Sequence, residues 1–202
     1  MTNKYDQMRD QMQTGDILLF SGNGFISRAI QTLTGSPWSH VGTVLRLPEY
    51  DFVCCFESTT LSSIPDLTTG AKVKGVQLVP LRARVDGYDG TRVAWRPVEG
   101  PRPPAAITAA LRVRDEFAGV PYEQNQLELL SSALDATGLL TNQPDASSVF
   151  CSEISSIKLM RMGWLLNDGT PPNERTPANF ADDVTLPWAH DVSVGPIIDL
   201  LD

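Results

Sequence analysis

The chain has 202 residues, 42% of them hydrophobic and 20% charged, with a net charge of −8 from 16 basic and 24 acidic side chains. That is the composition of a globular protein long enough to bury a core without disulfide or metal staples, and it excludes a disordered chain. An acidic field repels nucleic acid and anionic lipid, so neither is expected as a partner.

Residues 1–13 read as a short polar helix, closed by the Thr14-Gly15-Asp16 turn before the apolar run Ile17-Leu18-Leu19-Phe20, which has the length of a buried strand. From Phe25 the apolar positions Ile26, Ile30 and Leu33 recur at helical spacing, and Gly35-Ser36-Pro37 stops the helix. Strands are expected over 38–45, 52–57, 76–81 and 91–96, four in succession, which suggests an antiparallel meander. A Pro-rich loop at 99–106 hands over to a helix at 107–118, and a helix-like stretch follows at 127–134 before a polar run at 138–148. A further helix starts near Val149, with Ile154, Ile157, Met160 and Trp164 on one face.

The tail from about residue 170 is Pro-rich and acidic, and reads as surface chain with a helical turn near 177–183. A single domain over 1–202 is expected. Three cysteines, two of them adjacent at Cys54 and Cys55, do not make the even framework of a secreted scaffold, so a reducing compartment is expected. The opening MTNKYDQMRDQMQTGD lacks the basic start and apolar run of an export signal, and runs such as ILLF are too short to span a bilayer. The expectation is a cytoplasmic chain without stable membrane insertion.

Cys151 falls at the start of the 149–164 helix; with Ser148 as N-cap it lies in the first turn, where unpaired N–H groups and the helix dipole favour a thiolate. A small buried residue filling space is the structural alternative. A thiol nucleophile needs a base near neutrality, and the histidines are His40, at a strand start, and His190, in the acidic tail. His40 is the better placed, and Glu57, closing the next strand, is the preferred acid to orient its ring, with Asp16 as a second possible acid. Cys54 and Cys55 alternate across their strand, so one enters the core and neither reads as a nucleophile. Two histidines far apart, without Cys or His at ligand spacing, argue against a metal site, and no phosphate-cradling glycine motif occurs; no cofactor is expected. The five arginines between Arg82 and Arg102 read as a solvated sheet edge.

The segments Thr14-Gly15-Asp16-Ile17-Leu18-Leu19-Phe20, Ser36-Pro37-Trp38-Ser39-His40-Val41-Gly42, Phe56-Glu57-Ser58, Gly119-Val120-Pro121-Tyr122, Phe150-Cys151-Ser152-Glu153 and Thr176-Pro177-Ala178-Asn179-Phe180 together resemble the circularly permuted NlpC/P60 group. In particular they are similar to the YiiX-like cysteine hydrolases, relatives of the lecithin:retinol acyltransferase family. The resemblance covers residues 14–181 and rests on the order and spacing of motifs that are individually weak. It implies an α+β, circularly permuted papain-like fold with the meander sheet packed against helices, and with histidine preceding cysteine in the chain. By the same resemblance Cys151 is the nucleophile, His40 the base and Glu57 the polar third residue. The Cys151 N–H would serve as one oxyanion donor, the second remaining unidentified, and Tyr122 and Trp38 are candidates for substrate contact.

The expected activity is hydrolysis of an amide in a peptide, an amino-acid amide or a peptidoglycan-like substrate, or of an acylated small molecule. Two alternatives are a lipid acyl hydrolase or acyltransferase, disfavoured by a short acidic C-terminus, and a non-catalytic binding module on the same fold.

Overall fold

The computed structural model describes residues 4–122 and 150–201. A short helix α1 (Lys4–Met8) leads to strand β1 (Ile17–Ser21), then α2 (Phe25–Thr34), β2 (His40–Leu47), β3 (Phe52–Thr59) and β4 (Gly75–Pro80). Helix α2 ends where Gly35 takes a left-handed conformation, φ 62°, which glycine adopts without Cβ strain. Helix α3 (Leu81–Asp86), β5 (Arg92–Arg96), β6 (Val98–Glu99) and α4 (Pro104–Phe117) follow; α5 (Cys151–Arg161), α6 (Pro177–Ala181), β7 (Ser193–Val194) and β8 (Ile198–Asp199) complete the chain. The expected helix-like stretch at 127–134 and polar run at 138–148 lie outside the described residues.

The main sheet has six strands in the order β4-β3-β2-β1-β5-β8, every pair antiparallel. Of the four strands expected as a meander, β2, β3 and β4 pair in succession, but β5 does not extend them: the chain crosses to the other side of β1 and pairs with it, Leu19 opposite Ala94. Helix α3, which the sequence reading missed, lies on that path and packs on β3 and β4.

Both faces of the sheet are covered, which is why all five β1 residues are buried. On one face Ile17, Leu19, Val41, Leu45 and Phe56 pack with Ile154 and Leu159 of α5 and Ala110 of α4. On the other, Leu18, Phe20, Val44 and Val79 pack with Tyr5 of α1 and with Leu81 and Val85 of α3. Cys54 and Cys55 consequently enter opposite cores, and both are buried. Burial pushes the Cys54 thiol up to about 12 and the Cys55 thiol well above its ordinary range.

Two expectations are corrected. The tail is not surface drape: Phe180 and Leu200 are buried, and β8 supplies the sheet's last strand. The arginines from Arg82 to Arg102 are not a uniformly solvated edge either, since Arg84 and Arg96 are buried. Arg96 donates to the carbonyls of Gly195, Phe180 and Asp182 and pairs with Asp183, pinning the tail with charge-assisted bonds that a solvated side chain could not hold.

Candidate active site

His40 is the first residue of β2, opposite Phe20 of β1, whose ring lies 5.2 Å away, centroid to centroid. Cross-strand partners share a face, so the imidazole stands on the α3 side of the sheet, at its end. Strand β3 pairs with β2 with Thr43 opposite Phe56, and continuing that register places Glu57 opposite Gly42, diagonal to His40. Gly42 matters here because a Cβ on it would lie 3.2 Å from the Glu57 Cβ and 3.1 Å from the Cys55 Sγ. Its missing side chain leaves the diagonal open, and His40 Nε2 and Glu57 Oε2 meet at 2.6 Å.

Glu57 is wholly buried, and three donors hold it. Arg84 of α3 donates from Nε to Oε1 at 2.7 Å and from Nη2 to Oε2 at 3.2 Å, and Gln77 of β4 donates from Nε2 to Oε1 at 2.9 Å. Among the described residues Gln77 Oε1 is buried with no hydrogen-bond partner, so the amide faces the carboxylate at the expense of its own oxygen. The Arg84 guanidinium lies 4.6 Å from the Phe20 ring centroid and 5.1 Å from that of Tyr88. Burial would raise the Glu57 carboxyl, but Arg84 and then His40 outweigh it and hold the group ionised well below the usual carboxylate range. The sequence reading missed Arg84 and Gln77; an arginine in an Arg-rich stretch carries no signal of burial.

Cys151 opens α5, with Phe150 at the N-cap position and Glu153 Oε2 accepting the Phe150 N–H at 3.3 Å. The proposed Ser148 cap lies outside the described residues. Cys151 belongs to the opposite core from Phe20, so nucleophile and imidazole approach from different layers and meet at the sheet end. The Cys151 thiol and the His40 ring interact directly, each shifting the other's proton affinity, and Glu57 holds the ring at Nε2. Burial alone would raise the thiol; the His40 imidazolium and the N–H groups of Val41 and Ser152 overcome it and lower the thiol below its ordinary range. For His40, burial would lower the ring, but the facing Cys151 thiolate and Glu57 carboxylate lift it to about 9. The two shifts run in opposite directions, thiol down and imidazole up, and both favour the thiolate–imidazolium form of the pair.

Two cavities flank the pair. One, of about 210 Å³, is lined by Cys151, Phe150 and α2 residues including Ile30 and Leu33. The other, of about 510 Å³, is lined by His40, Arg84, Tyr88 and Asn23 among others. Tyr122, expected to contact substrate, lines both, its ring edge-on to Phe150 at 5.6 Å between centroids.

The remaining candidates lie elsewhere. Trp38 is buried in the core, with the Arg92 guanidinium 4.6 Å from its ring centroid, and lines neither cavity, so the substrate contact expected of it is not what its position offers. Asp16 accepts from Gln13 N, Trp95 Nε1, Val98 N and Arg102, and belongs to the scaffold. His190 is exposed in a C-terminal turn.

Fold and site together define an α+β chain with a thiol, an imidazole and a carboxylate converging at the end of an antiparallel sheet. No protein-family model matches the chain, and no curated protein matches it. Among solved structures the chain is similar to the metalloprotein yiiX from Escherichia coli O157:H7 (DUF1105), at a TM-score of 0.53 and 18% sequence identity over 92% of this chain and 90% of that one. At that identity the likeness is one of fold, and the chain has a yiiX-like fold. Among the described residues no group of three or more His, Cys, Asp or Glu side chains could hold a metal ion, and both Glu57 oxygens are already engaged. The described residues thus do not fit a metal site. No described helix is long and apolar enough to cross a membrane.

Proposed function

We propose that this chain is a cysteine hydrolase of the amidase or peptidase type, on a circularly permuted papain-like variant of the yiiX-like fold. The observation that carries the reading is the shared imidazole: Nε2 on a buried Glu57 at 2.6 Å, with the Cys151 thiol interacting with the same ring.

The Cys151 thiolate attacks the substrate carbonyl carbon, forming a C–S bond and placing negative charge on the oxygen. The Cys151 N–H, in the first turn of α5 where N–H groups have no intrahelical acceptor, is the donor this reading assigns to that charge. As the C–N bond breaks, the His40 imidazolium gives its proton to the leaving amine. The neutral imidazole then takes a proton from water, whose oxygen attacks the thioester; the acid leaves and the thiolate–imidazolium pair is restored. Glu57 keeps its charge throughout and fixes the ring, as the orienting acid of a catalytic triad does. The substrates this chemistry serves are peptides, amino-acid amides or acylated small molecules.

The test is turnover of aminoacyl p-nitroanilide and p-nitrophenyl ester panels by the wild type, Cys151→Ala and His40→Ala. Loss of several powers of ten in either variant is expected. Full activity in either variant would overturn the assignment, and a wild type silent on every panel member would favour a binding module.

A further inference from the structure

Helix α2 is strongly amphipathic, yet its apolar stripe is not spent on the core. Ala29 is its buried residue, whereas Leu33 is 59% exposed and Ile26 41% exposed. Ile30, Leu33 and Thr34 share one face at steps of three and four, and all three line the cavity that holds Cys151. Phe150 and Tyr122 wall the same cavity, with Pro177.

The polar groups around this cavity are turned to other duties. The Thr34 hydroxyl donates to the Ile30 carbonyl at 2.8 Å, and the Thr176 hydroxyl donates to Asn179 Oδ1 at 3.0 Å. Arg175 is buried, with Nη2 on Asp168 at 3.1 Å and Nη1 against the Met160 sulfur at 3.7 Å. The exceptions are Asn173 Oδ1, buried with no hydrogen-bond partner among the described residues, the buried Ser152 and the solvent-exposed Glu174, against a lining that is otherwise apolar. A ligand entering beside the nucleophile therefore meets methyls, methylenes and ring edges. The cavity on the other side of Ile30 and Tyr122 is more than twice as large and has a mixed lining, with Asn23, Ser27, Thr59, Arg84 and Asp89 beside Phe25, Ile26 and Leu61, so polar groups reach it in a way they do not reach the cavity beside Cys151.

From this asymmetry we infer that the cavity beside Cys151 is an acyl-side pocket taking one compact apolar group, an aromatic or branched aliphatic side chain, while the polar amine half of the substrate lies against His40. The inference rests on the roles proposed for Cys151 and His40, because the acyl carbon must reach sulfur and the leaving nitrogen must reach the imidazolium. Size sets the word compact: 210 Å³ is below the span of pockets that enclose drug-sized ligands. A space of that size matches a single side chain, and a long acyl chain would extend beyond it.

The experiment labels Cys151 with N-acetylated chloromethyl ketones of phenylalanine, leucine and glycine and with a long linear alkyl chloromethyl ketone, following adducts by mass spectrometry. Phenylalanine and leucine reagents are expected to outpace glycine by roughly tenfold or more. The ratio of two rates on one sample cancels any change in thiolate content. Leu33 is exposed enough to be replaced without unfolding the helix; Leu33→Asp should bring the ratio near one, and Leu33→Met should keep it. Equal rates in the wild type, a ratio unmoved by Leu33→Asp, or a long alkyl reagent faster than phenylalanine would each overturn the pocket. His40-dependent labelling without preference sinks this inference alone, whereas no labelling of Cys151 by any reagent sinks the hydrolase reading with it.

Discussion

Among the buried carboxylates, Glu57 in β3 and Asp16 just ahead of β1 are each paired with an arginine, and only Glu57 belongs to the candidate site. Glu57 and Asp16 are equally inaccessible, and each is held by an arginine and by neutral donors. Asp16 is saturated by the backbone of Gln13 and Val98, the Trp95 indole and Arg102; burial still leaves its carboxyl raised above the ordinary value. Glu57 meets burial with Arg84 and His40 and is held ionised. The difference is where the charge is handed on. Asp16 faces groups that cannot leave, and so ties β1 to β5 and β6; Glu57 faces a titratable ring that also interacts with a thiol beside a cavity. A buried acid gains a chemical role from the partner it orients rather than from burial itself.

The largest effect that sharpens this contrast comes from Glu57→Gln, which keeps the shape and removes the charge opposite the imidazolium. Amide turnover should fall about a hundredfold or more, read as kcat/KM, whereas Asp16→Asn should leave kcat/KM within about twofold per folded molecule. Arg84→Met should lower turnover roughly tenfold and cost about 3–5 kcal/mol in urea unfolding, by leaving Glu57 buried without its cation; Arg84→Lys should recover part of both. Asp16→Asn should cost about 1–3 kcal/mol of stability, since its amide group cannot accept all the donors now aimed there. A catalytic loss in Asp16→Asn as large as in Glu57→Gln would erase the distinction.

The smallest predicted effect concerns Lys158 of α5, wholly buried, with Nζ on Thr43 Oγ1 and on the Val44 carbonyl, both at 2.8 Å. Burial lowers this amine from 10.5 to about 7. Between those values the unfolded chain binds the extra proton, so wild-type stability should rise with pH across that window. Lys158→Met should flatten that rise and raise Tm at neutral pH, which thermal melts over a pH series would read. An unchanged slope would mean that Lys158 stays charged in the fold.

Much of the site was legible because strands alternate strictly. A histidine opening one strand and a glutamate near the end of the next fall within reach once the pairing is antiparallel, and a cysteine heading a helix sits among unpaired N–H groups whatever the tertiary context. The exact helix start was less so, and α5 begins at Cys151 rather than near Val149. What escaped were residues whose role depends on long-range placement. Arg84 and Gln77 gain meaning only when α3 and β4 close over Glu57, and β8 pairs with β5 across most of the chain's length. The stripe at Ile26, Ile30 and Leu33 announced a helix correctly, but periodicity cannot tell a stripe facing a core from one facing a cleft.

The central claim is that His40, backed by Glu57, holds Cys151 as a thiolate, and the pH dependence of iodoacetamide alkylation tests it most directly, resolved by mass spectrometry among Cys54, Cys55 and Cys151. An ordinary thiol gains reactivity as pH approaches about 8.5. Cys151 should already react rapidly near about pH 6, its profile should move up toward the ordinary thiol in His40→Ala, and Cys54 and Cys55 should stay silent in the folded protein. A Cys151 profile that follows the ordinary thiol, or one unchanged by His40→Ala, would contradict the account.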